Sequence, residues 1–488
     1  MYNRYKRLIR FPGKPLFFCL KLNLKKMINI HTHSIKILSD LTTPVSLFLK
    51  LREHFPEILL LESSDYSSKE DSQSFICFDP LISLKNINGQ YELKNHIENF
   101  VQNNIATNAV DAIDVLLNAI VKRDNYNDRF NGVFGYTSFD MVQEFESLQF
   151  DDSKSCYDIP SLRYDFFRYI IAFDHFYDEL YLIENELEGQ GSTLDRIMSI
   201  ISRQDHQVYP FAKVGEESGN MTDEYYLEIV QKAKSHCQRG DVFQMVLSRR
   251  FSQSFKGDEF NVYRALRSVN PSPYLFYYDY SSYRIFGSSP EAQMVVHEGQ
   301  AEIHPIAGTF RRTGDYTQDQ FLAQKLLDDP KENAEHIMLV DLARNDLSKN
   351  CKEVTVSNYK DVQFFSHVIH LVSKVVGKIK SGISGYQIFA DTFPAGTLSG
   401  APKYKALQLI DIYEPTARSF YGGGLGIIKL NGDLNHAIII RSFLSIKGQL
   451  HYQSGAGIVI DSVPESELQE VHNKLAALKK AMDFAEEL

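Results

Sequence analysis

At 488 residues, 43% hydrophobic and 23% charged, the chain has the profile of a globular protein long enough for about two to four domains. Its net charge of −10 and the lack of a basic stripe interleaved with aromatics argue against nucleic acid as a partner. The five scattered cysteines form no Cys-x-x-Cys pair, which fits a reducing cytoplasm rather than a disulfide or zinc framework, and no apolar run approaches the ~20 residues of a membrane span.

The first 26 residues carry eight Lys or Arg and no acid. They read as a basic extension, disordered or arising from a misassigned start, with Met27 as the alternative beginning. Residues 27–205 then alternate strand-like runs (Ile58 to Leu61, Ser74 to Phe78, Gly132 to Tyr136, Arg168 to Phe173, Glu179 to Ile183) with helical patterns near Asp111 to Val121 and Thr193 to Ile201. This is expected to be one mixed region. A polar stretch, 206–220, reads as a linker, and a helix over Met221 to Gln238, capped by Thr222 with Asp223 and Glu224 in its first turn, opens a second region, 221–488.

Two stretches of that second region carry Glu-x-x-Glu: Glu332 and Glu335, then Glu467 and Glu470. Residues three apart lie on one side of a helix, so each stretch can aim two carboxylates at a common point, where four anions require a hard cation such as Mg²⁺. Asp329, Pro330 and Glu332 also match a capping box, which gives Glu332 a structural role and leaves Glu335 as the better ligand. Between the pairs, AGTLSGAPK (Ala395 to Lys403) reads as a turn entering a helix near Pro402, a place for backbone N–H groups to receive a carboxylate or phosphate. It lacks Walker spacing, and YGGGLG (Tyr421 to Gly426) lacks the dinucleotide pattern. From the residues alone, the chain is a Mg²⁺-dependent enzyme acting on a small carboxylated or phosphorylated metabolite.

Six segments in order, FQMVLSRRF (243–251), SSPE (288–291), HPIAGTFRRTG (304–314), AEHIMLVDLARNDL (334–347), AGTLSGAPK (395–403) and GAGIVIDSVPESE (455–467), closely resemble the chorismate-utilising enzymes. LLLESSD (59–65) and NGVFGYTSFD (131–140) are similar to the N-terminal region of anthranilate synthase component I. The resemblance implies an α+β protein: a two-domain α/β sandwich of large, mostly antiparallel sheets flanked by helices.

It also implies site roles. Glu335 and Glu470 would hold Mg²⁺, with Glu332 and Glu467 behind them, and Glu291 would be the general acid. His370 would serve the second step, in which pyruvate leaves. Gly308, Thr309 and Lys474 would hold the ring carboxylate of chorismate, and Tyr421, Arg441 and the backbone of Gly455, Ala456 and Gly457 the side-chain carboxylate. Gln244 stands where water-adding relatives, the isochorismate and salicylate synthases, carry a Lys; a neutral amide cannot activate water as a base, which favours an amine nucleophile. Ala307 stands where many aminodeoxychorismate synthases carry a Lys.

The favoured reaction is therefore amination to anthranilate. Its ammonia would come from a separate glutamine amidotransferase subunit in a hetero-oligomer, and tryptophan would inhibit at Glu62, Ser63, Pro273, Tyr274 and Leu275. The alternatives are aminodeoxychorismate synthase component I, an isochorismate or salicylate synthase, and a non-catalytic chorismate or tryptophan sensor.

Overall fold

Two-residue alternation in the hydrophobic strands determines how the layers form. In Ile58–Glu62, Ile58 and Leu60 join one core and Leu59 a second. The neighbouring strands repeat the rule, with Ile76 and Phe78 against Phe75 and Cys77, and Tyr277 against Phe276 and Tyr278. Strands apolar on both faces need cover on both, and each fully buried Leu or Phe contributes about 1.5–3 kcal/mol. The computed structural model describes residues 27–63, 72–123, 129–203, 205–364 and 368–488. The basic extension 1–26 and the end of the LLLESSD motif lie outside the described residues.

Two long strands, Gln73–Ile87 and Leu162–Asp174, pair along their whole length with a register shift near Pro80, and a sheet grows from each end of this ladder. One sheet runs from Gln73–Phe78 through Ile58–Glu62, Tyr274–Asp279, Tyr283–Ser289, Ser442–Ile446, Gln449–Ile458 and Gln244–Gly257 to Phe211–Gly219. The other runs from Leu162–Phe166 through Gly132–Thr137, Gly424–Lys429, Leu434–Ile438, Ala292–His297 and Gln300–Ile303 to Val368–Ile379. Among the described residues, pairing is antiparallel except that Ile28–Ile30 runs parallel to Ile120–Lys122.

The sheets face each other across a core that includes Leu59, Phe134, Phe276, Leu425 and Leu444. Helices Pro44–Arg52, Asp223–Arg239, Phe260–Val269 and Pro464–Ala485 cover the outer face of the first sheet. Ala109–Ala119, Pro330–Ser348 and Gly385–Thr392 cover the second. This is the expected α+β sandwich of large, mostly antiparallel sheets.

Two local expectations need correction. Phe211–Gly219, read as linker, is a strand on the edge of the first sheet, paired with Phe251–Gly257. The helix near Asp111 ends at Ala119, and its last expected turn is the short strand Ile120–Lys122. The sheets also cross the sequence division between 27–205 and 221–488, since Ile58–Glu62 pairs with Tyr274–Asp279 and Gly132–Thr137 with Gly424–Lys429.

Candidate active site

Strand Ile306–Arg311 pairs with Val368–Val372 so that Ala307 faces Leu371 and Thr309 faces His370. Gly308 is the extra residue of a β-bulge, with φ of +71°, a conformation that glycine adopts without penalty. A Cβ there would stand 2.5 Å from Leu326 Cδ1 and 3.1 Å from Glu332 Oε2. The bulge turns the Gly308 carbonyl to His370, whose Nδ1 lies 2.8 Å away. A carbonyl only accepts, so Nδ1 carries the proton and Nε2 is the basic nitrogen. Burial, opposed by that hydrogen bond, holds the imidazole pKa below its ordinary value. Of Thr309, only the backbone is described.

Glu291 follows strand Tyr283–Ser289, and its carboxylate accepts a 3.0 Å hydrogen bond from Thr397 Oγ1. Burial pushes its pKa up to about 7, against the opposing pull of Thr397, Lys474 and Arg441. Arg441 is placed by a backbone turn at φ +49°, and its carbonyl accepts the Ser288 N–H at 3.1 Å. Desolvation lowers the pKa of its guanidinium while the Glu291 charge raises it. A carboxyl whose pKa lies near 7 keeps a protonated fraction at neutral pH that can donate a proton to a departing oxygen.

The third group stands on the adjacent strands Gln244–Gly257 and Gln449–Ile458, which place Val246 opposite Gly457 and Ser248 opposite Gly455. Gln244 Nε2 donates to Glu335 Oε1 at 3.3 Å, and its side chain fills the space a Cβ on Gly457 would need, at 2.3 Å. Lys474 Nζ donates to the Gly455 carbonyl at 2.9 Å and pairs with Glu470 at 2.8 Å. Burial pushes the Tyr421 phenol up, and the Gly455 N–H opposes that shift by bonding to it. Ala456 is fully buried beside them.

The four glutamates do not converge as one cluster. Glu467 is 5% exposed, whereas the Glu470 side chain is 46% exposed on its ion pair with Lys474, so the two stand at different depths on helix Pro464–Ala485. Among the described residues, no group of three or more His, Cys, Asp or Glu could hold an ion by itself. Asp329 caps helix Pro330–Ser348 by accepting the Glu332 N–H at 3.2 Å, as the capping pattern implies. In AGTLSGAPK, expected to receive an anion, two residues join the sheet and the lysine is engaged. Gly400 and Ala401 pair with Met245 and Gln244, and the Lys403 ammonium is buried on Asp346 at 2.8 Å and the Thr392 carbonyl at 2.7 Å.

Three contributors went unread in the sequence. Thr397 sits inside AGTLSGAPK, where its hydroxyl was the available signal. Glu414 and Arg418 are buried at 3% and 1% and tie the site's segments together. Arg418 donates to the carbonyls of Leu398 at 2.5 Å and Val246 at 2.8 Å and to both Glu414 oxygens; Glu414 accepts from Ser248 N and Oγ, both at 2.8 Å. An Arg–Glu pair at i, i+4 outside a regular helix gave no pattern to recognise.

The segments expected to form an inhibitor site do meet. Glu62 stands opposite Leu275 at the end of a strand pair, and Ser63 follows the one strand as Pro273 precedes the other. The Glu62 carboxylate accepts from Tyr263 Oη at 2.6 Å and Arg267 Nη2 at 2.8 Å.

Residues 62–480 match the family model described as chorismate binding enzyme. The chain is 37% identical to anthranilate synthase component 1 of Aquifex aeolicus, covering 93% of this chain and 94% of that one. It is 35% identical to the protein of the same name from Acetivibrio thermocellus, over 95% and 98%. The crystal structure of anthranilate synthase component I from Streptococcus pneumoniae superposes with a TM-score of 0.75 at 29% identity, covering 91% of this chain and 99% of that one. The menaquinone-specific isochorismate synthase from Escherichia coli has the same fold, with a TM-score of 0.73 at 17% identity and coverage of 94% and 95%.

Proposed function

The chain belongs to the chorismate binding enzymes, and we propose that it converts chorismate and ammonia to anthranilate, pyruvate and water as the large component of an anthranilate synthase. The observation that carries this reading beyond the family is Gln244, a neutral amide bonded to Glu335 at the position where a water-adding relative needs a base. Full-length relatives named anthranilate synthase component 1 support it, and that name supports a second subunit, which we take to be a glutamine amidotransferase supplying the ammonia.

Glu291 is the general acid. Its neutral carboxyl, oriented by Thr397, gives its proton to the C4 hydroxyl of chorismate as that oxygen departs and ammonia bonds to C2. His370 then takes the C2 proton on Nε2 as pyruvate leaves and the ring becomes aromatic. Gly308, Thr309 and Lys474 bind the ring carboxylate. Arg441, Tyr421 and the backbone of Gly455, Ala456 and Gly457 bind the enolpyruvyl carboxylate, for which a guanidinium is the suited planar partner.

The donors present fit a Mg²⁺ ion. Glu335 and Glu470 offer hard carboxylate oxygens from two helices, and this ion commonly takes one or two carboxylates and completes its shell with water and substrate. Glu332 and Glu467 would support that pair from the same two helices. When bound, the ion supplies positive charge to the ring carboxylate and withdraws electrons from the ring.

The test is fluorescence of anthranilate formed by the purified chain from chorismate, Mg²⁺ and ammonium. Product is expected with ammonium and not with glutamine until the second subunit is added. Isochorismate or aminodeoxychorismate as the product would overturn the reading.

A further inference from the structure

Behind Glu291 lies a cavity of about 40 Å³, against the ~10–15 Å³ that one water requires. Glu291 and Thr397 line it, whereas Gly308, His370, Arg441, Gly455 and Gln244 do not, so it adjoins the proposed chorismate site only at the general acid. Its walls are mostly apolar, with Ile303, Pro305, Leu339 and Leu342 among them. Four further polar side chains interrupt them: Thr392, whose hydroxyl donates to the Ile388 and Phe389 carbonyls, and Gln293, Asp346 and His304. Gln293 is 3% exposed, and its Oε1 has no hydrogen-bond partner among the described residues. Asp346 is held by the buried Lys403 and by Lys349. His304 is 34% exposed and marks the solvent side. An unpartnered acceptor against a cavity of this size is the arrangement that holds ordered water.

We propose that this cavity is a water-filled proton port that recharges Glu291, with Gln293 holding the water and His304 exchanging protons at the mouth. The inference rests on the proposed reaction. In each turnover the Glu291 O–H bond breaks, its proton joins the C4 oxygen, and the C4–O electron pair leaves with that oxygen as water. The carboxylate that remains must regain one proton before the next cycle. The cavity reaches that carboxylate apart from Gly308, His370 and Arg441, so the proton passes through the cavity water, which is restored through His304 from bulk solvent. The charges facing the route are Lys474 and Arg441 at Glu291, Lys403 and Lys349 at Asp346, and Glu302 at His304, itself paired with Lys374.

Gln293→Leu and His304→Ala test the port in the ammonium-dependent anthranilate assay, with the parent chain measured alongside. Replacing an unpartnered acceptor with an apolar side chain strands no hydrogen-bond partner, so Gln293→Leu is expected to remain folded, which its melting temperature checks. In both variants kcat is expected to fall about tenfold, with KM for chorismate and ammonium unchanged. The loss should deepen as pH rises, and small buffer acids, imidazole for His304→Ala, should restore the rate. Unchanged kcat in both variants overturns the proposal, as does a loss that buffer acids do not relieve. A rise in KM for ammonium also overturns it and makes the cavity the nucleophile's path. Failure of the parent chain to form anthranilate rejects the proposed function itself, whatever the variants do.

Discussion

At the scale of single residues, environment matters more than identity. Glu291 and Glu470 are both glutamates, but one is buried with a pKa pushed up to about 7 and the other is half exposed on an ion pair with Lys474. The first is suited to give up a proton near neutral pH. Glu291→Gln is expected to lower kcat by about 10²–10⁴ without loss of fold. It should also change the dependence of stability on pH. The folded chain keeps the Glu291 proton up to about 7, whereas the unfolded chain loses it near 4.5. Stability from this group is therefore full below 4.5 and is lost as pH rises through 7. The Gln variant should lack that decline, so its melting temperature relative to the parent should be higher at pH 8 than at pH 5. Equal differences at the two pH values would show that Glu291 is ionised in the fold. The sequence marked Glu291 through its motif, but its burial and its Thr397 partner come from segments more than a hundred residues apart, which no local pattern records.

At the scale of elements, legibility followed hydrophobic period. Ile58 to Leu61 and Gly132 to Tyr136 were readable because they are apolar on both faces, and Thr222 was readable as a cap that accepts the Tyr225 N–H. Phe211–Gly219 was missed because an edge strand with one buried residue needs only its backbone to pair. The twin Glu-x-x-Glu helices were recognisable as a pair, but helix spacing alone cannot distinguish the depth of Glu467 from that of Glu470. What joins these elements is the Glu414–Arg418 pair, which fastens the Thr397 turn through Leu398 and the Gln244 strand through Val246 and Ser248. Removing one partner strands a buried charge, so Arg418→Ala should cost about 3–5 kcal/mol in denaturant unfolding. The same change should lower kcat, because it releases both segments. The double variant Glu414→Gln/Arg418→Met should recover part of the stability and little of the rate; full recovery of rate would show that the pair has no positioning role.

At the scale of the molecule, the two sequence regions form one hydrogen-bonded body. Residues 221–488 contain every proposed catalytic group, yet their strands Tyr274–Asp279 and Gly424–Lys429 would lose neighbours without Ile58–Glu62 and Gly132–Thr137. That fragment is expected to aggregate or to unfold without a cooperative transition when expressed alone, and to become soluble when residues 27–205 are coexpressed; a soluble, cooperatively melting fragment would contradict this. Were tryptophan to bind where the resemblance implies, the same continuity would give that site a route to the chemistry. Leu275 pairs with Glu62 on one side and with Ser288 on the other, and Tyr274 pairs with Ser289, two residues before Glu291. A ligand seated on Glu62, Ser63, Pro273, Tyr274 and Leu275 therefore bears on the strand that carries the general acid, without a mobile domain in between. If tryptophan displaces that strand, it should weaken chorismate binding, and linkage requires chorismate to weaken tryptophan binding by the same factor. Calorimetric titration of tryptophan with and without saturating chorismate, compared with the shift in chorismate affinity caused by tryptophan, measures both sides. Equal factors of about 5–150 are expected. Arg267→Met, which removes one of the groups holding Glu62, should alter tryptophan affinity while leaving turnover in its absence intact.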